Sequence, residues 1–189
     1  MPAKSSKTSG SIYQLKITLR DSSPPIWRRV LVPGEFNLYK LHWIVQLSMG
    51  WTNSHLHQFI INGQYYGIPH PDDWVEMIDE RRVTLSRIAP REKSKFEYEY
   101  DFGDSWAHEI LVEKILPPEA GTAYPCCVKG KGACPPEDVG GVWGYAEFLE
   151  AISDPKHPQH EDLREWVGGD FDPTAFDLEE VNRALRQIK

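Results

Sequence analysis

Long apolar runs are missing from the sequence, as are a nucleotide-binding loop and a recognised nucleophile motif. No stretch approaches the roughly 20 residues that cross a bilayer. The opening Met1-Pro-Ala-Lys-Ser-Ser-Lys-Thr-Ser-Gly10 also lacks the apolar core of a signal peptide. The expectation is a cytoplasmic protein without membrane contact, its residues 1–10 a flexible tail. Cysteine is scarce: Cys126, Cys127 and Cys134 are all there is. An adjacent pair with one more seven residues on is not a zinc-knuckle spacing, and no structural disulfide is expected in a cytoplasmic chain. An excess of basic charge is missing too. The net charge is −7, and residues 135–189 carry thirteen Asp/Glu against five Lys/Arg, whereas residues 1–134 balance at +1. Nucleic acid, which is held by Lys and Arg at phosphates, is thereby disfavoured as a partner, leaving Arg81-Arg82 and the run Arg87 to Lys95 as the candidate phosphate contacts.

What is present points to a folded, loop-rich protein. Hydrophobic residues make up 40% and aromatic residues 12%, with seven Trp and fifteen Pro, which suits one compact domain over 11–189, with sub-lobes 11–68 and 83–189 as the other division. Alternation over Tyr13 to Leu19 and Ile26 to Val32 predicts two strands. Asn37 is placed to cap a helix from Leu38 to about Met49, ended by Gly50. Leu56 to Ile61, Asn62-Gly63 and Gln64 to Tyr66 read as a tight hairpin. Trp74 to Arg82 is ambiguous, and Leu85 to Ile88 reads as a short helix. Tyr124 to Tyr145 carries too much Pro and Gly for a regular element and is expected to be an ordered loop. Helices are expected over Tyr145 to Ile152, from Pro158 to near Val167, and from an Asp177-x-x-Glu180 capping pattern onward.

The stretch with most chemistry is Tyr98-Glu-Tyr-Asp-Phe-Gly-Asp-Ser-Trp-Ala-His108. Phe96, Tyr98, Tyr100 and Phe102 share one parity going in, and Trp106, His108, Ile110 and Val112 share one coming out, which predicts a central hairpin. Asp101, Asp104 and His108 gather near its turn. They read either as turn caps and a satisfied inner-face histidine, or as a metal site or acid/base pair. His55 and His57, at i and i+2, can ligate one ion on a strand face, or stand as rim histidines beside Trp51. Arg28 and Arg29 point to opposite faces, so one of them meets a packed side, an acidic residue or a phosphate. Cys127 and Cys134 with a histidine are a second candidate zinc set, against simple buried thiols.

Taken in order, Ile26-Trp-Arg-Arg29, Leu41-His42, Gly50-Trp51, His55-Leu-His57, Tyr98-x-Tyr-Asp-Phe-Gly-Asp-x-Trp-x-His108, Cys134-Pro-Pro-Glu-Asp138, Gly140-Gly141 and Gly144-Tyr145 resemble the plasmid pRiA4b ORF-3-like proteins. The resemblance runs from Ile12 to the C-terminus. It implies an α+β fold in a family found on plasmids and near mobile elements, some of whose members carry a transposon-resolvase label. The present residues give that label no support, since neither an activated serine with clustered arginines nor a DNA-binding helical module can be assembled from them. Many family members have a cysteine where this chain has Val139, while Cys126 is additional, a departure that weakens a cysteine-based metal site.

The combined expectation is an α+β fold with a mixed or antiparallel sheet, a β-grasp-like N-terminal unit, a central hairpin and C-terminal helices packed on it. The leading functional expectation is a binding or accessory protein that takes a protein or peptide partner. Its surface would draw on Trp27, Arg28, Arg29, His42, Trp51, His55, His57, Tyr100, Asp101, Asp104, Trp106, His108, Glu137 and Asp138. The alternative is a metal-dependent hydrolase or nuclease in which zinc or another divalent ion sits on Asp101, Asp104 and His108 with His55 or His57. A purely structural zinc on Cys127, Cys134 and a histidine is the third expectation.

Overall fold

A computed structural model describes residues 10–72 and 75–188; residues 1–9 of the expected tail, and Trp74, lie outside the described residues. The apolar-polar alternation produces β1 (Ile12–Leu19) and its antiparallel partner β2 (Trp27–Pro33). Asn37 accepts the Lys40 N–H at 2.9 Å to start α1 (Leu38–Met49), and Gly50, at φ 110°, ends it. β3 (His57–Ile61) and β4 (Gln64–Gly67) join through Asn62 and Gly63, whose φ values of 51° and 78° are the left-handed pair that a two-residue hairpin turn of this kind requires. β5 (Met77–Asp79), a 3₁₀ turn over Glu80–Arg82 and the short α2 (Leu85–Ile88) follow. The central hairpin is β6 (Lys95–Tyr100) and β7 (Trp106–Leu116). After β8 (Cys126–Lys131) come α3 (Gly141–Ser153), α4 (His160–Val167) and α5 (Leu178–Leu185).

The strands form one eight-stranded sheet in the order β5-β4-β3-β6-β7-β1-β2-β8, antiparallel except between β4 and β5. The expected α+β class is the observed one. Two local expectations are corrected. The N-terminal strands expected to make a β-grasp-like unit do not form one continuous piece of sheet, because β6 and β7 lie between the hairpins β1–β2 and β3–β4. The Cys/Pro/Gly segment, expected as loop, supplies β8, because the outer edge of β2 demands hydrogen-bond partners that a local reading of glycines and prolines does not register. That edge is then closed by α5: Asn182 accepts the Cys127 N–H at 2.8 Å and donates to the Cys127 carbonyl at 2.9 Å, standing in for a ninth strand's peptide group.

One sheet face is apolar and buried. Leu15, Ile17, Val30, Phe59, Tyr98, Ile110 and Val112 are fully enclosed, as are Leu38, Leu41, Ile44 and Val45 of α1. Each such side chain contributes about 1.5–3 kcal/mol of transfer free energy. The other face carries the ion pairs Arg20–Glu97 (3.0 Å), Arg29–Glu113 (2.6 Å) and Lys95–Glu109 (3.0 Å), and the exposed ones are worth at most about 1 kcal/mol each. The two arginines of β2 divide as their parity demands. Arg29 holds Glu113 on the outer face, while buried Arg28 donates to the carbonyls of Ser48, Trp27, Lys131 and Gly132 at 2.7–3.0 Å and lies over the Phe176 ring.

The start of α3 is fitted tightly to the central hairpin. Asp104 accepts the Gly140 N–H at 3.1 Å, and a Cβ on Gly141 (φ 67°) would collide with the Asp104 carbonyl oxygen. Gly141→Ala is therefore expected to lower stability by about 2–3 kcal/mol, combining left-handed strain with the collision. Gly63→Ala, equally left-handed but with open space around it, should lose only about 1 kcal/mol. Urea unfolding of both variants checks this, and equal losses would show that the α3 contact contributes nothing.

Candidate functional site

Three loops converge beside the N-terminal end of β3. The first is Trp51 to Leu56, turned inward after Gly50. Trp51 donates its indole N–H to the Pro135 carbonyl at 3.1 Å, and its ring lies 5.1 Å from Tyr100, 5.7 Å from Trp106 and 5.3 Å from His108. The second loop is the end of β6, where the Asp101 N–H donates to the Leu56 carbonyl at 2.8 Å. The third is Cys134 to Asp138, fastened by Glu137. Its Oε1 accepts from the Thr52 N–H (3.0 Å) and the Tyr100 hydroxyl (2.8 Å), and its Oε2 accepts from the Thr52 hydroxyl (2.8 Å). Burial raises the Glu137 pKa, but these hydrogen bonds outweigh it and hold the carboxyl below its usual range. The result is a group of three side chains with lone-pair atoms close together: His55 Nε2 lies 3.0 Å from Asp138 Oδ1 and 3.5 Å from Asp101 Oδ2.

A cleft of ≈ 860 Å³ opens next to this group, with His42, His55, His57 and His70 among its lining and Tyr39, Leu56, Ile68 and Phe102 at its rim. Its floor is polar and buried. His42 and His57 stack face to face with centroids 3.5 Å apart and planes within 10°. The tautomer of His42 follows from its partners. The Tyr98 hydroxyl accepts from Gln46 Nε2 at 3.0 Å, so its proton goes to His42 Nδ1 at 2.8 Å, and His42 Nε2–H donates to Asn53 Oδ1 at 3.0 Å. Burial, then the neighbouring His57, push the His42 pKa down to about 3, so the ring is neutral. His57 Nε2 sits 3.1 and 3.0 Å from the two oxygens of Glu80, whose side chain is wholly enclosed.

Residues 11–180 match the plasmid pRiA4b ORF-3-like protein family. The chain belongs to that family. A curated relative of this pRiA4b ORF-3-like chain, the uncharacterized protein y4hQ of Sinorhizobium fredii (strain NBRC 101917 / NGR234), is 43% identical over 181 residues, covering 94% of this chain and 92% of that protein. The crystal structure of a protein of unknown function, MM3350 from Methanosarcina mazei Go1, superposes with a TM-score of 0.83 at 38% identity, over 93% of this chain and 98% of that one.

Within this pRiA4b ORF-3-like fold the residues singled out from the sequence divide into separate groups. Trp51, His55, Tyr100, Asp101, Glu137 and Asp138 meet at the loop junction, and His42 and His57 lie in the adjoining cleft. Asp104 and His108 do not join Asp101. Asp104 caps the α3 entry, and His108 is enclosed on the inner sheet face, its Nδ1–H donating to the Trp106 carbonyl at 2.9 Å. The hairpin turn thus splits what sequence spacing gathers, because residues at the strand end and within the strand face different ways. Trp106 is core; Trp27 and Arg29 lie on the outer face and Arg28 is enclosed under Phe176. Cys127 donates to the Lys129 carbonyl and Cys134 to the Pro135 carbonyl; the two thiols share no metal-ligand group among the described residues. His55 and His57 do not share a strand face, since His55 precedes β3. Glu80 went unnoticed in the sequence, as nothing in the irregular Trp74 to Arg82 stretch marks it for burial.

Burial holds the His108 pKa down at about 4, against the backbone hydrogen bonds from its strand, so the folded ring is neutral while the unfolded one titrates near 6.5. Its contribution to stability is complete above pH 6.5 and is lost as pH falls toward 4, by up to about 1.4 kcal/mol per pH unit. Between pH 6.5 and 5 the difference in urea stability between the native chain and His108→Gln is expected to shrink steadily. A constant difference would mean that His108 is not held neutral.

Proposed function

We propose that the protein is a binding or accessory module whose cleft receives an apolar peptide segment of a protein partner. The observation that carries this reading is the rim of the cleft: Leu56 is 72% exposed, Phe102 48% and Ile68 46%, although a large aliphatic or aromatic side chain gains about 1.5–3 kcal/mol when removed from water. Exposed apolar side chains around a concave, partly polar floor are the usual anatomy of a recognition cleft. Peptide is favoured over nucleic acid because the described lining contains no Lys or Arg, leaving phosphates without a counter-charge. Met77 of β5, the terminal strand of the sheet, also lines the cleft, so an extended segment laid beside it can add main-chain hydrogen bonds.

The test is selection from a random peptide display library followed by titration of the enriched peptides. Peptides rich in large apolar residues are expected, with affinity reduced tenfold or more by Leu56→Asp or Phe102→Ser, as for a buried anchor of about 2 kcal/mol. Enrichment of nothing, or of peptides indifferent to both substitutions, would overturn the reading. So would oligonucleotide binding through this cleft that falls steeply with salt.

A further inference from the structure

The imidazole of His55 poses a specific problem. Its Nε2 exposes less than 1 Å² and makes no hydrogen bond among the described residues, yet carboxylate oxygens of Asp138 and Asp101 stand 3.0 and 3.5 Å away. Imidazole hydrogen bonds are directional, running along the ring nitrogen's axis in the ring plane. At these distances a missing bond means that neither oxygen lies on that axis. A buried polar atom left in this way costs about 1–3 kcal/mol, and a small turn of an exposed Asp138 carboxylate would remove the deficit if an ion pair were the purpose. The arrangement has three lone-pair donors whose atoms all lie within 4.8 Å of one another.

We infer that His55, Asp101 and Asp138 bind a divalent transition-metal cation beside the cleft. Two bonds of about 2.0–2.2 Å meeting at tetrahedral or octahedral angles set their ligand atoms roughly 2.9–3.6 Å apart; the His55 separations are 3.0 and 3.5 Å, and all three ligand atoms lie within 4.8 Å of one another. Two carboxylates supply the charge that a dication needs, and the imidazole adds a nitrogen donor. The nitrogen donor selects first-row metals such as Zn²⁺ or Mn²⁺ over Ca²⁺ and Mg²⁺, which prefer oxygen shells.

The surroundings hold the donors in place. Asp101 Oδ1 accepts from the N–H groups of Gly103 (2.9 Å) and Asp104 (3.4 Å), which leaves Oδ2 directed at His55. Asp138 is carried by the loop that Glu137 fastens to Thr52 and Tyr100. Asp104 acts as a positioning residue, since its own carboxylate receives the Gly140 N–H just beyond Asp138. Three protein donors leave coordination positions open on a bound cation, and His55 is the one of the three that also lines the cleft.

The experiment uses the full chain without an affinity tag, treated with chelator and then titrated at pH 7 with Zn²⁺ and with Mn²⁺ alone, by calorimetry and by the shift in Tm. No peptide is present, so the outcome is independent of the cleft reading. One ion per chain is expected, with a raised Tm, and affinity reduced at least 100-fold in His55→Ala and in Asp138→Asn. The latter is nearly isosteric at an exposed position and tests the site even where the histidine variant folds poorly. Cys134→Ser should bind as the native chain does. Binding that survives Asp138→Asn, binding abolished by Cys134→Ser, or no uptake by the folded native chain would each overturn the assignment.

Discussion

The loop junction depends on one carboxylate. Glu137 takes hydrogen bonds from the backbone and hydroxyl of Thr52 and from the phenol of Tyr100, tying together segments far apart in the chain. Charge-assisted hydrogen bonds of this kind are about twice as strong as neutral ones, and they are what keeps a proline-rich loop with no regular structure of its own against the sheet. The effect on Tyr100 is reciprocal. Burial and then the Glu137 charge push its phenol pKa well up, so it remains a donor. With this fastening Asp138 faces His55.

Beneath the cleft, polarity is placed inside an otherwise apolar layer. His42, Gln46, Tyr98 and Asn53 satisfy one another in a closed set of hydrogen bonds, and the His42 ring is stacked on His57. A satisfied network of this kind fixes side-chain positions more strictly than aliphatic packing does, because each member has few alternative partners. Deeper in, the rule is relaxed: His108 Nε2, Trp106 Nε1 and Tyr145 Oη have no hydrogen-bond partner among the described residues. In the aromatic wall formed by Trp51, Trp106 and His108, ring contacts stand beside one backbone hydrogen bond each from Trp51 and His108.

Much of this was legible in the residues. Strand alternation located β1, β2, β6 and β7, the Asn62-Gly63 pair located a hairpin, and Asn37, Gly50 and Asp177 marked helix ends, because each of these signals is local. β8 escaped notice because its pairing is dictated by the exposed edge of β2, a long-range demand. The cluster of His55, Asp101 and Asp138 follows the same division. Asp101 and His55 were each conspicuous, and Asp138 stood within a recognisable motif, but their meeting depends on two strand ends and a loop brought together by Glu137. Asp104 and His108, close in sequence to Asp101, were separated from it by the direction each side chain takes at the hairpin.

The two ends of the sheet are finished in different ways. At β8 the amide of Asn182 occupies both hydrogen-bonding groups of Cys127, so a helix side chain imitates the next rung of the ladder and terminates it. At the opposite end β5 is three residues long and has only β4 as a strand neighbour among the described residues. Considered as a template for further strands, the sheet is blunted at one end by mimicry and at the other by brevity. A further strand meets an occupied rung at Cys127 and only three residues of β5 at the other end.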